Sequence, residues 1–169
     1  MAELTGPVAD RLRAIQERFD PRMAAELPPH ITLVGSSGMG PIPSTTSLDD
    51  LTAALDPVAA STAPFIVRFR PAMRFMQSNV VVLPIDPHGP IRALHERIKA
   101  SGLPFEAPRF TFTPHCTLSF YPEIARARER ELLRVRIDEA VKLDAIQAYK
   151  AVNALKVERV LDLPLTGTG

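Results

Sequence analysis

Apolar residues recur along the chain at two periods, and the alternation between them lays out its elements. Over 7–19, Val8, Leu12, Ile15 and Phe19 return at three- to four-residue steps behind Pro7, which predicts a helix ended by Asp20 and Pro21. The run Ser47-Leu48-Asp49-Asp50 caps a second helix with Leu48, Leu51, Leu55 and Val58 on one face. A third, over 90–100, turns Ile91, Leu94 and Ile98 inward and stops at Ser101-Gly102. Period two appears at 65–70, where Phe65, Val67 and Phe69 alternate with Ile66, Arg68 and Arg70. The continuous apolar run 80–85 reads as a strand covered on both faces, reached through a turn at Gln77-Ser78-Asn79. Strands are also expected at 30–35 and 110–120. The first leads into a connecting loop, 35–44, and the second into a fourth helix over 122–141 with Leu133, Ile137 and Val141 on its stripe. In the tail, 143–165, the alanines tolerate a helix, but Ile146, Tyr149 and Val152 followed by Val157, Val160, Leu161 and Leu163 fit a closing hairpin better. The pattern is α+β with largely antiparallel sheets.

Composition narrows the class without naming a chemistry. A chain of 169 residues suits one domain, 1–169, able to bury its own core and expected to be a monomer. A net charge of +1 gives no global attraction for a long nucleic acid or an anionic membrane, so any phosphate recognition must be local and a short substrate fits better than a duplex. The preference for Arg over Lys is accounted for by composition alone. The Arg and Glu residues interleaved over 123–139 read as a solvated, self-paired helix face. Cys116 is the single cysteine, which excludes an internal disulfide and a thiolate zinc cluster and suits a reducing cytoplasm. The first residues lack the layout of a signal peptide, and no apolar run reaches membrane-spanning length, so no membrane partner is expected.

One repetition carries more information than these averages. Pro29-His30-Ile31-Thr32-Leu33 returns at a constant offset as Pro114-His115-Cys116-Thr117-Leu118, each copy preceded and followed by a helix. That is the trace of a duplicated half-domain, and two lobes facing each other would bring the two strands together. On a strand, residues two apart share a face: His30 stands beside Thr32 and His115 beside Thr117, while Ile31, Leu33, Cys116 and Leu118 turn to an apolar side. Cys116 is then a small buried hydrophobe rather than a reactive thiol.

Two imidazoles suit acid and base chemistry at phosphorus. A histidine near its ordinary pKa of about 6.5 can accept a proton when neutral and give one when charged. In-line displacement needs both roles on opposite sides of the phosphorus, and threonine hydroxyls, stiffened by β-branching, can donate to its nonbridging oxygens. Two imidazoles without a carboxylate or thiolate pattern are an incomplete zinc ligand set, so no zinc site is expected. His88 and His95 lack motif partners and read as surface or capping residues.

At these residues the chain resembles the 2H phosphoesterase superfamily, named for two H-x-[T/S]-x motifs, and in particular its 2'-5' RNA ligase and RNA 2',3'-cyclic phosphodiesterase branch. His30-Ile31-Thr32-Leu33 and His115-Cys116-Thr117-Leu118 match the motifs with their hydrophobic flanks. The resemblance implies a bilobal, pseudo-twofold α+β fold, two largely antiparallel sheets lining a central cleft, and helices packed outside. It implies His30, Thr32, His115 and Thr117 as catalytic residues, His115 as base and His30 as acid, acting without metal or cofactor on short RNA ends or nucleotides with a cyclic phosphate. A non-catalytic binder of RNA ends, and an enzyme for another cyclic phosphate or a 2'-5' oligonucleotide, are the competing readings. Some relatives extend the second motif with an Arg three residues after the Thr, where this chain has Phe120, and the first motif has Gly35 at the equivalent place. The cation must then come from elsewhere, with Arg68, Arg70, Arg74 and Arg109 as candidates. Relatives also open with a strand, but the first six residues are too short and polar to promise one, so one sheet is expected to lack an edge. Phe120 and Tyr121 border the cleft and could stack on a base, with a core role for Phe120 equally consistent.

Overall fold

A computed structural model describes residues 1–76, 78–120, 126–153 and 156–168. Fourteen elements follow one another: β1 (Ala2–Glu3), α1 (Gly6–Phe19), α2 (Pro21–Glu26), β2 (His30–Ile31), α3 (Leu48–Ala60), β3 (Phe65–Arg68), β4 (Met73–Arg74), β5 (Val81–Pro84), α4 (Pro90–Lys99), β6 (His115–Ser119), α5 (Arg126–Leu132), β7 (Ala140–Leu143), β8 (Ala145–Asn153) and β9 (Lys156–Pro164). The fold is α+β, and all of its strand ladders are antiparallel: a five-stranded sheet in the order β1-β2-β6-β5-β4, the pair β3-β7 and the hairpin β8-β9.

The local chemistry explains most boundaries. Pro7 opens α1, and Asp20 with Pro21 closes it, because a proline cannot donate the next helical hydrogen bond. The same Asp20 caps the short α2, which the sequence pattern does not predict, by accepting from the Met23 amide. Ser47 accepts from the Asp50 amide at the start of α3. Leu48 is 50% exposed at that first turn instead of facing the core. Strand β3 buries every second side chain, whereas Val81, Val82 and Leu83 of β5 are all fully covered. One contiguous core gathers residues from Ala2 to Leu165.

Three expectations are corrected. The fourth helix does not run over 122–141: it is α5, Arg126–Leu132, within the described residues, and Ile137 and Val141 are buried at the approach to and within the strand β7. Their four-residue spacing fits a strand's even count as well as a helical turn. The interleaved charges are not self-paired: Glu131 pairs with Arg18 of α1 at 2.5 Å, Glu129 with Arg74 of β4 at 3.1 Å, and Glu139 with Arg11. The five-stranded sheet does not lack its edge, since Ala2–Glu3 pairs with β2 and is held from outside by β8 through Met1 and Gln147.

Candidate functional site

The two motif strands are hydrogen-bonded neighbours inside one sheet. Strand β2 pairs β6 with Ile31 opposite Cys116. Counting one residue along each antiparallel strand sets His30 opposite Thr117 and Thr32 opposite His115, so each imidazole faces the other motif's hydroxyl. An antiparallel pair has a local twofold axis at its centre, and here that axis relates one Pro-His-x-Thr-Leu segment to the other. Ile31, Leu33, Cys116 and Leu118, on the reverse face, are exposed by no more than 1%. Burying four such side chains contributes on the order of 1.5–3 kcal/mol for each of the larger ones, which fixes the register that presents the polar face.

The proline ahead of each histidine has a structural use. His30 Nδ1 lies 2.8 Å from the Pro28 carbonyl, and His115 Nδ1 lies 2.6 Å from the Thr113 carbonyl. A carbonyl only accepts, so each ring donates from Nδ1, and Nε2 is the atom left to meet a ligand. The intervening Pro29 and Pro114 fix their own φ and push the preceding residue to extended backbone, which holds that carbonyl under the ring. Burial lowers the proton affinity of both imidazoles. For His30 the Pro28 carbonyl opposes this, the Met1 ammonium and His115 add to it, and Glu3 opposes it again; for His115 only the Thr113 carbonyl opposes burial. Both rings are thus biased toward the neutral form, with Nε2 as the atom open to a proton.

Neighbouring groups fix the four residues. Phe75 meets His115 edge-on with ring centroids 5.0 Å apart. Gln16, buried in α1, donates to the Thr117 carbonyl at 2.7 Å. Asp20 Oδ2 accepts from the Phe120 amide at 2.7 Å and so ties the end of β6 to the junction of α1 and α2. Thr32 is bounded by Gly35, where an added Cβ would stand 3.0 Å from its Cγ2, so a larger residue there has little room. Phe120 is 52% exposed beside the motif, and Tyr121 lies outside the described residues.

His95 corrects the reading of it as a surface or capping residue. It is 1% exposed, stacks on Phe112 at 3.7 Å between centroids, and meets the Leu33 carbonyl through Nδ1 at 3.1 Å. Its ring occupies the space left by Gly38, whose φ is +74°. His95 thereby holds the segment just after the first motif. His88 is exposed. Of the candidate cations, Arg70 pairs with Asp86, Arg74 with Glu129, and Arg68 donates to the Asp138 carbonyl. The Arg109 amide bonds the Ser36 carbonyl, beside the loop after the first motif. Sequence reasoning missed Glu3, Gln16, Asp20 and His95. Glu3 faces His30 directly across β1 and β2.

A cavity of about 570 Å³ lies elsewhere, between α3, the 41–46 segment and the β8-β9 hairpin. Of the motif residues it touches only Leu33, on the reverse face, and so it is separate from the imidazoles. Among the described residues no group of three or more His, Cys, Asp or Glu is arranged to hold a metal ion, and no helix is long and apolar enough to cross a membrane.

Comparison with known proteins adds three findings. The family model described as the 2'-5' RNA ligase superfamily matches residues 4–154. A putative phosphoesterase of Bacillus pumilus (strain SAFR-032) is 31% identical over 116 residues, which is 65% of this chain and 61% of that relative's length. A crystal structure of TT0787 of Thermus thermophilus superposes with a TM-score of 0.63 over 99% of this chain and 97% of that one, at 16% identity.

Proposed function

The chain belongs to the 2'-5' RNA ligase superfamily, a group of 2H phosphoesterases, and from that premise we propose that it is a metal-independent phosphodiesterase opening 2',3'-cyclic phosphate ends of RNA or nucleotides. The observation that carries the reading is the matched pair of tethers, His30 Nδ1 to Pro28 and His115 Nδ1 to Thr113, which leave two Nε2 atoms on one face. In this scheme His115 Nε2 takes a proton from water as the water oxygen bonds to phosphorus. The bond from phosphorus to one ribose oxygen breaks, and His30 Nε2 gives that oxygen its proton. The product is a phosphomonoester beside a free hydroxyl. Thr32 and Thr117 donate to the nonbridging oxygens, where charge accumulates as the fifth bond forms. Phe120, exposed at the end of β6, offers a ring on which a base can stack.

The test is a panel of the four nucleoside 2',3'-cyclic monophosphates and 2'-5'-linked dinucleotides, with products identified by phosphorus NMR. Turnover of the cyclic compounds in excess EDTA is expected. Absence of turnover across the panel defeats the proposal; turnover of the linear 2'-5' dinucleotides alone reassigns the substrate within the superfamily.

A further inference from the structure

The local twofold that relates the two motifs breaks down one strand further out. Strand β1 flanks β2 and sets Glu3 opposite His30; strand β5 flanks β6 and sets Pro84 opposite His115. Directly opposed residues in an antiparallel pair share a face, with Cβ atoms about 5 Å apart, so one imidazole has a carboxylate as neighbour and the other an apolar ring. Glu3 is also held. Its Oε1 accepts from the Tyr149 hydroxyl at 2.5 Å and from Arg159 Nη1 at 3.2 Å, its amide donates to Gln147 Oε1 at 2.8 Å, and its side chain is only 15% exposed. A carboxylate fastened by two groups of the β8-β9 hairpin, on a backbone held by a third, has little freedom to turn away from the sheet.

We infer that Glu3, anchored by Tyr149 and Arg159 opposite His30, is a positioning residue that helps His30 hold the proton it gives to the leaving oxygen in the proposed scheme. The inference rests on the proposed acid and base chemistry of the two motifs and adds what distinguishes them. The ionisable groups around His30 are Glu3 and the Met1 ammonium on the β1 side, His115 on β6, and Arg159 with Asp162 behind Glu3 on the hairpin. The Met1 amino group and His115 each disfavour a charged His30 more than Glu3 favours it, and Glu3 is the ionisable group that works the other way. Apart from the His30 ring itself, no ionisable group among the described residues acts on His115 in this way, and Phe75 faces it instead.

The experiment is Glu3→Gln, which keeps an acceptor for Tyr149 and Arg159 but removes the charge. It is followed by the NMR titration of both rings and by the pH profile of kcat/KM on a cyclic nucleotide. The His30 midpoint should fall by about half a pH unit, the effect of one charge about 6 Å away in a water-like medium, with the His115 midpoint unchanged. The alkaline limb of the pH profile should move down by the same amount, and Glu3→Asp should restore both. Arg159→Gln, at a half-exposed position, removes the counter-charge and should move the His30 midpoint upward. A folded Glu3→Gln protein with an unmoved His30 midpoint, or with the acidic limb displaced instead, overturns the inference. The titration needs no substrate, so a wild type inactive on the whole panel defeats the proposed function while the Glu3 result still stands or falls by itself.

Discussion

If the proposed chemistry holds, replacing either motif histidine by alanine should separate catalysis from folding, because the two losses differ in magnitude. Each ring contributes one neutral hydrogen bond, to Pro28 or to Thr113, worth about 1 kcal/mol of stability. His115 adds an edge-on contact with Phe75 that contributes about another 1 kcal/mol. For a chain of this size each kcal/mol shifts Tm by about 2–4 °C, so His30→Ala should lower Tm by about 2–4 °C and His115→Ala by about 4–8 °C. Losing a general acid or base costs about 100- to 10,000-fold in rate, or about 3–5.5 kcal/mol of barrier. Activity should therefore collapse in proteins that remain folded at 25 °C. Two groups acting in one proton exchange are strongly non-additive, so the double variant should be little slower than the slower single one. The assay is initial rate on a nucleoside 2',3'-cyclic monophosphate, with Tm measured on the same preparations. A single variant within tenfold of wild type, or an active double variant, would refute the reasoning.

Three further outcomes rest on the same contacts. Burial lowers the proton affinity of His30, His95 and His115, so the unfolded chain binds protons that the native one resists. Stability should accordingly fall as pH drops below about 6.5, visible as declining urea midpoints between pH 7.5 and 5.5; a flat profile would contradict the assignment. Gly38→Ala would drive a Cβ into His95 Nε2 at a φ of +74°, and calorimetry should show a loss of at least about 1–2 kcal/mol from the backbone conformation alone. Burial pushes the Cys116 thiol up to about 12, so a thiol reagent at neutral pH should label it only after denaturation, and native labelling within minutes would count against this burial.

How far the sequence could be read depended on whether a residue's partner lay nearby in the chain. The two faces of the motif strands were legible because strand alternation is local: Ile31, Leu33, Cys116 and Leu118 share the covered face, and His30, Thr32 and His115 are only partly covered, though Thr117 is buried as well. The closing hairpin was legible from its two apolar runs. What stayed hidden was set by distant partners. Ala2–Glu3 forms a strand because β2 supplies its ladder and β8 holds it from outside through Met1 and Gln147, and no propensity of two residues could announce that. His95 looks like a polar residue on a helix face until Gly38 and Phe112 make room for its ring. The stretch ending at Val141 was misread because a strand and a helix both bring residues four apart to one side.

The pairing of Ile31 with Cys116 also governs how the protein comes into being. It closes a loop of most of a hundred residues, and the Met1 to Gln147 contact closes a longer one. Contacts so remote in sequence are slow to form, because the entropy of closing the chain is lost before the ladder returns any stability. Neither motif can acquire its counterpart until α3, β3, β5 and α4 have been threaded between them. Turnover is therefore a late reporter of refolding: a partly folded population, even one rich in helix, should contribute nothing to it. Recovery of activity after dilution from urea should lag recovery of helical circular dichroism.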